Sequence, residues 1–204
     1  MLEIGTHEIT LVVTDNAGAT DSDTIIIYIN QGAEVIEMTL NFTTGWNGFS
    51  INVVQENMSI NNIFEDIESH EGDRIKTDNL ESIYNGNEWL PAVIIDPLKA
   101  YKLLLAEGVT VTIHGTPIDV KTEITLFNDW SYISYLPQES RNINEALANI
   151  TADGNPLTIK DIRNAAFSQY YEGYGWFGDI TELEPGKGYM LNMGSHPGTL
   201  VYGE

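Results

Sequence analysis

The sequence predicts a mainly β (α+β) protein: a β-hairpin, then two tandem small β modules that each carry one short α-helix. The first sign is a recurrence. The stretch Gly45-Trp46-Asn47-Gly48-Phe49-Ser50-Ile51 returns as Asp129-Trp130-Ser131-Tyr132-Ile133-Ser134-Tyr135, with tryptophan in the same place. The second is a period of two in the apolar residues, as in Met38, Leu40 and Phe42, the spacing of a strand with one face turned inward. The third is that this period breaks once in each copy. At Ile60, Ile63, Phe64 and Ile67, and again along Asn142 to Ile150, the spacing becomes that of a helix face.

The composition supports cores of ordinary size, with 42% hydrophobic residues over 204 positions. Thirty acidic side chains stand against nine basic ones, a net charge of −21. Such a field repels nucleic acid phosphates and anionic lipid, so no nucleic acid partner is expected. Cysteine is absent, which removes disulfides, thiolate zinc sites and cysteine nucleophiles together. No run approaches the roughly 20 apolar residues of a membrane span, and the start lacks the basic-then-apolar pattern of a signal peptide. No membrane insertion is therefore expected. Met1 falls within a strand-rich segment, and the chain is expected to be a piece of a longer protein.

In order, residues 1-30 carry two β-rich runs around a turn. Ile9, Leu11 and Val13 alternate along the first run and Ile25, Ile27 and Ile29 along the second, while Asn16-Ala17-Gly18 supplies residues that tolerate a left-handed backbone. Gly5, His7, Thr14, Asp15, Asn16, Gly18 and Asp23 fall in a pattern that resembles the last two strands of an immunoglobulin-like domain of the polycystic-kidney-disease (PKD) type. The resemblance implies a partial Ig-like β-sandwich, used as a spacer or binding unit in extracellular proteins. A two-stranded hairpin is marginal alone in water, so further strands, or a neighbouring chain, are expected to complete it.

A short link from Gln31 to Ile36 leads to the first module, residues 37-119. Met38 to Phe42 gives a strand, the Gly45-Trp46-Asn47 turn follows, and Phe49, Ile51 and Val53 give the return. A two-turn helix is expected over Ser59 to Ile67 with Ser59 as its N-cap. Arg74 to Thr77 and Glu81 to Tyr84 are strand candidates, Asn85-Gly86 is a turn, and strands at Lys102 to Leu105 and Val109 to His114 close the unit. The second module, residues 121-204, follows the same order. Ile124, Leu126 and Trp130 answer Leu40, Phe42 and Trp46; Pro185-Gly186-Lys187-Gly188-Tyr189 answers Pro97-Leu98-Lys99-Ala100-Tyr101; Leu200-Val201-Tyr202-Gly203 is laid on Thr112-Ile113-His114-Gly115. Trp46, Trp130, Tyr101 and Tyr189 recur and are expected in the cores.

This frame resembles a "GWN…GxGY" repeat of secreted and cell-surface proteins of Bacteroidetes-like bacteria. It departs from that pattern at Gly48-Phe49, at Ala100 and at Asp129. The resemblance implies an accessory or adhesive module beside other extracellular domains, with no enzymatic activity.

Chemistry-bearing residues are sparse. His7, His70, His114 and His196 are far apart and none has a ligand partner at metal spacing. Nucleophile-elbow, phosphate-loop and zinc-helix motifs are missing, so no enzyme is expected. The neighbouring acids Glu182 with Glu184, and Glu65 with Asp66, carry a weak glycosidase reading, since that reaction needs two carboxyls facing across a cleft. Asp15, Asn16, Asp21 and Asp23 gather hard oxygen donors at the hairpin turn, a candidate for calcium as against ordinary turn capping, with Asp73 and Asp78 a second such pair. Tyr170, Tyr171, Tyr174 and Trp176, with Tyr84 and Trp89 at the corresponding place in the first module, are candidates to bind sugar or protein, because flat rings cover the apolar side of a pyranose. Three Asn-x-Ser/Thr sequons, at Asn41, Asn57 and Asn149, are close to what this composition yields by chance. The expected role is a non-catalytic structural or adhesive segment of a secreted or cell-surface protein, partnered by other domains of the same polypeptide. The alternatives are a polysaccharide-binding accessory module of a secreted enzyme, and a subunit of a surface fibre that assembles with copies of itself by strand addition.

Overall fold

The computed structural model describes residues 5–29 and 34–203, which are mainly β, with half of the chain in strands and two short helices. They fall into two compact units, Met1–Glu34 and Val35–Glu204. In the first unit, β1 (Gly5–Thr14) pairs with β2 (Thr20–Ile29) in one antiparallel ladder from Gly5↔Ile29 to Thr14↔Thr20. The turn is set by Asp15, whose Oδ1 accepts from the amides of Ala17 and Ala19, and by Gly18 at φ 86°. Alternation does not hide either face here. Leu11 and Val13 on one side and Val12 on the other all stand exposed. The link from Gln31, with Gly32, lies partly outside the described residues.

The second unit begins with β3 (Ile36–Asn41), β4 (Gly45–Ser50), β5 (Val53–Val54), α1 (Ile60–Ile63), β6 (Arg74–Thr77), β7 (Leu80–Tyr84), β8 (Trp89–Leu90), β9 (Ala100–Leu105) and β10 (Thr110–Pro117). It continues through β11 (Ile124–Leu126), β12 (Trp130–Ser134), β13 (Arg141–Asn142), α2 (Ile143–Ala146), β14 (Ile150–Ala152), β15 (Thr158–Asp161), β16 (Phe167–Tyr171), β17 (Gly175–Gly178), β18 (Glu182–Leu183), β19 (Gly188–Asn192) and β20 (Gly198–Leu200). Two five-stranded antiparallel sheets share one order: β4-β9-β6-β7-β8 and β12-β19-β15-β16-β17. Beside each lies a three-stranded sheet, β3-β10-β5 and β11-β20-β14. Each five-stranded sheet closes its own core. One is built around Phe49, Ile51, Ile75, Trp89 and Leu103, the other around Ile133, Tyr135, Ile159, Leu183 and Leu191.

Small bonds repeat from one half to the other. The Tyr101 hydroxyl accepts from the Asp96 amide at 2.8 Å and the Tyr189 hydroxyl from the Glu184 amide at 3.0 Å. Asn47 Oδ1 caps the Thr43 amide, and Ser131 Oγ caps that of Phe127. The closing strands differ by one residue from the sequence alignment. Leu40 pairs with Val111 and Ile124 with Leu200, so Leu200 answers Val111, not Thr112.

Two expectations about elements are corrected. Tyr101 and Tyr189 are buried as expected, but Trp46 is 45% exposed and Trp130 half-buried. Strand alternation explains it: Asn47, Phe49 and Ile51 point inward, so Trp46 must point outward, and Ser131, Ile133 and Tyr135 leave Trp130 outside in the same way. The helix over Ser59 to Ile67 is a single turn, and the Ser59 side chain makes no cap bond. Beyond Phe64 the amides turn to i−3 carbonyls, Glu65 to Asn62 and Ile67 to Phe64, while the Asn61 side chain accepts from the Trp89 N–H at 2.7 Å and donates to its carbonyl at 3.2 Å.

The halves meet along a seam of backbone. The Ser50 N–H donates to the Gly186 carbonyl (3.1 Å) and, reciprocally, the Ser134 N–H donates to the Leu98 carbonyl (3.3 Å). Ser50 Oγ donates to the Lys187 carbonyl, and Asn52 Nδ2 to the carbonyls of Leu136 and Pro137. At two positions of the seam no side chain fits. A Cβ on Gly188 would lie 2.8 Å from the backbone N and O of Phe49, and one on Gly48 would lie 2.5 Å from the Ile162 Cβ.

Two outcomes follow for stability. Gly188→Ala should cost about 1–3 kcal/mol in urea denaturation, as overpacking against backbone does, and an unchanged midpoint would refute the seam as drawn. Burial pushes the hydroxyls of Tyr101 and Tyr135 up to about 12, and those of Tyr189 and Tyr202 well upward. A folded-state pKa above the unfolded value of 10.0 means that folding holds the proton. This contribution is fully present below pH 10 and is lost as pH rises through about 12, so thermal unfolding scanned from pH 8 upward should fall only beyond pH 10.

Candidate functional site

The aromatic residues singled out from the sequence lie on the β16–β17 hairpin. The alternation of these strands divides them. Ser168, Tyr170 and Trp176 face the core, whereas Phe167, Gln169, Tyr171 and Phe177 face outward. The Trp176 ring is 6% exposed and meets Tyr170 edge-on at 5.4 Å. In the first half Trp89 is 1% exposed, against Tyr84 at 5.6 Å. Trp176 and Trp89 are therefore interior residues, and Tyr170 and Tyr84 lie half-buried beside them. The pattern Tyr170-Tyr171-x-x-Tyr174-x-Trp176-Phe177 alternates within a hairpin, and its largest ring falls on the inner phase.

An asparagine holds each of these tryptophans by its main chain. Asn144, in α2, accepts from the Trp176 N–H at 2.8 Å through Oδ1, as Asn61, in α1, does for Trp89. Gly175 is required beside it, since φ is 92° and a Cβ would lie 2.3 Å from that oxygen. Sequence reasoning passed over both asparagines. Their recurrence at the same place after the N-cap was the available signal.

What remains outside is a different aromatic face. Tyr171 and Phe177 meet edge-on at 5.9 Å, the Tyr171 hydroxyl donates to Gln169 Oε1 at 3.1 Å, and Tyr174 at the turn is 81% exposed. The register carries the face across the sheet. Gln169 adjoins Phe177 and Thr158, Thr158 adjoins Asn192, and Asn192 adjoins Trp130. In the next row Phe167, Lys160, Met190 and Tyr132 stand side by side. Lys160 Nζ lies 4.7 Å above the Trp130 ring. A second amine, Lys102 Nζ, lies 5.9 Å from the centre of the Tyr132 ring, so rings, amines and two carboxamides share one open surface, a chemistry suited to stacking with lateral hydrogen bonds. The matching face of the first half keeps one ring, Trp46, and is otherwise ionic and aliphatic: Arg74 and Lys76 both reach Glu81, beside Ile83 and Leu90.

The carboxylates are engaged locally. Asp15 caps its turn, and Asp21 and Asp23 each accept from the amide that follows them. Asn16 sits in the turn itself. Buried Asp73 accepts from the amides of His70 and Ala106, organising a turn and the end of β9. Glu184 pairs with Lys187, and Glu65 and Asp66 line a cleft beside β10. Among the described residues, no group of three or more His, Cys, Asp or Glu converges as metal ligands. Nor is any helix long and apolar enough to cross a membrane.

The division of rings has a measurable form. Trp176→Ala should lower stability by about 3–5 kcal/mol, whereas Tyr174→Ala should change it by less than about 0.5 kcal/mol. Equal losses in denaturant titration would contradict the placement. No family model, curated protein or solved structure matches this chain.

Proposed function

We propose that the chain is a non-catalytic structural and adhesive segment of an extracellular or cell-surface protein, and that it attaches to polysaccharide through the outward aromatic face of its second half. In this proposal residues 1-30 close an immunoglobulin-like sandwich of PKD type, and residues 37-119 and 121-204 are two copies of one module. The observation that carries the attachment is the stripe of Phe167, Tyr171, Tyr174 and Phe177 with Gln169 and Lys160 among them. Exposed rings at this density stay in water only at a cost unless a ligand covers them. The net charge of −21 selects the ligand further, since it repels polyuronates and favours neutral glucans, mannans or xylans.

The hairpin supports the modular part. Ile9, Leu11, Val13 and Ile25 stand bare on one face of β1 and β2, as the inner face of a sandwich sheet is apolar. The same feature favours a second role, assembly with neighbouring chains by strand addition, because unpaired edges and bare apolar faces are what such assembly uses.

Affinity electrophoresis in gels containing xylan, glucomannan or mixed-linkage glucan tests the attachment. At least one polymer should retard the wild-type chain, Tyr171→Ala and Phe177→Ala should restore free mobility, and Trp46→Ala should not. Wild-type mobility unchanged in every gel would end the proposal. Assembly is read separately by light scattering, where a constant monomer mass over a hundredfold concentration range would exclude the second role.

A further inference from the structure

The two halves differ in their backbone pairing beside the closing strands. In the second half, β20 is flanked by β11 on one edge and by β14 on the other, with Ile150↔Leu200, Thr151↔Thr199 and Ala152↔Gly198. In the first half, β10 is flanked by β3 along Thr110–Gly115, but its other edge meets only β5, at Thr116 and Pro117. After α1 the turn at Phe64 to Asp66 matches the turn at Leu147 to Asn149, but Ile67, which answers Ile150, lies in a bend, and the chain there does not pair with β10.

The phase of β10 shows which groups are left over. The Phe42 N–H donates to the Val109 carbonyl and the Ile118 N–H to the Asn52 carbonyl. These bonds, one on each edge, turn the peptide groups of Val109, Val111 and Ile113 toward β3 and those of Thr110, Thr112 and His114 the other way. Their counterparts in the second half, Thr199 and Val201, are covered, with the Val201 N–H directed to the Asn149 carbonyl. Beside the uncovered edge lies a cleft of about 360 Å³, walled by Thr110 to His114 on one side and by Asn62, Ile63, Glu65, Asp66 and Ile67 on the other.

We propose that this cleft receives an extended, basic peptide segment of a partner protein, which adds to β10 as an antiparallel strand in the slot that β14 fills in the second half. Main-chain bonds to Thr110 and Thr112 supply the attachment. Opposite Val111 the occupant carries a β-branched apolar residue, as Ile150 stands opposite Leu200, with a small one two positions on, as Ala152 does. Glu65 and Asp66 on the far wall select Lys or Arg beside them, and they disfavour a second copy of this acidic chain. The slot owes nothing to the aromatic face of the second half, so either can fail alone.

The test is an amide NMR titration of the whole chain with acetyl-Lys-Lys-Ile-Thr-Ala-Lys-Lys-amide, and with the same peptide carrying Glu for each Lys. The basic peptide should shift the Thr110 and Thr112 amides to saturation and bind at least tenfold tighter than the acidic one. Thr112→Pro removes a slot-facing N–H and none of the bonds to β3, as proline on an open edge does. It should weaken binding at least tenfold while Val111 and Ile113 keep their hydrogen-exchange protection. Glu65→Lys with Asp66→Lys should reverse the preference between the peptides without touching β10. Absence of saturable shifts, shifts centred elsewhere, or equal affinity for both peptides would overturn the proposal. So would Thr110 and Thr112 amides that are already protected in the free chain, or that broaden with its concentration, since the slot would then hold its own loop or a second copy.

Discussion

Everything in residues 35–203 depends on main chain approaching main chain where the two halves meet. Ser50 and Ser134 donate across the seam at positions that correspond in the two halves, which is how two similar surfaces meet about a twofold axis. Gly48 and Gly188 stand where any side chain would push the sheets apart. The seam also buries polar groups. Ser50 Oγ and Asn52 Nδ2 spend themselves on carbonyls of the other half, whereas Asn52 Oδ1 and Ser134 Oγ are left without a protein partner. The second half donates back from the Tyr135 N–H to Ser50 Oγ and from Gln138 Nε2 to the Asn52 carbonyl, so the exchange runs both ways but is not symmetric.

One scaffold thus presents two unlike surfaces. Inward positions agree closely between the halves: Phe49 with Ile133, Ile51 with Tyr135, Tyr101 with Tyr189, and Trp89 with Trp176 all lie inside. Outward positions agree at Trp46 and Trp130 and diverge beyond them. Arg74, Lys76 and Glu81 make a small ion-pair network on one sheet, and Lys160, Phe167 and Phe177 make an aromatic field on the other. Packing constrains the inner phase of each strand, and only solvent or a ligand constrains the outer one.

The strands and their order were legible because alternation is strong and because the chain states its pattern twice. The side on which a ring falls was less so. Trp46 and Trp130 recur, and recurrence in a hydrophobic residue reads as core, yet a one-residue shift in phase puts them on the far face. Trp176 erred in the opposite direction, since a ring set among tyrosines and glycines reads as a binding surface. The helices were overestimated because Ile67 continues the apolar spacing of Ile60 and Ile63. Nothing local announces that Asn61 will reach 28 positions along the chain to bind the main chain of Trp89. The difference in pairing beside β10 and β20 was not legible, since it turns on whether a short post-helix segment straightens.

The pairing of first strand with last in each half has a mechanical meaning. Ile36 lies opposite Gly115, and Ile124 opposite Leu200, so the points at which the chain enters and leaves each sheet sit together at one end of a ladder. Tension applied through the main chain at those points would part the rungs one after another, as a zipper opens, rather than load them all at once in shear. Each half on this geometry is a soft, extensible element under pull, and the crossed serine bonds between the halves are what would stiffen it.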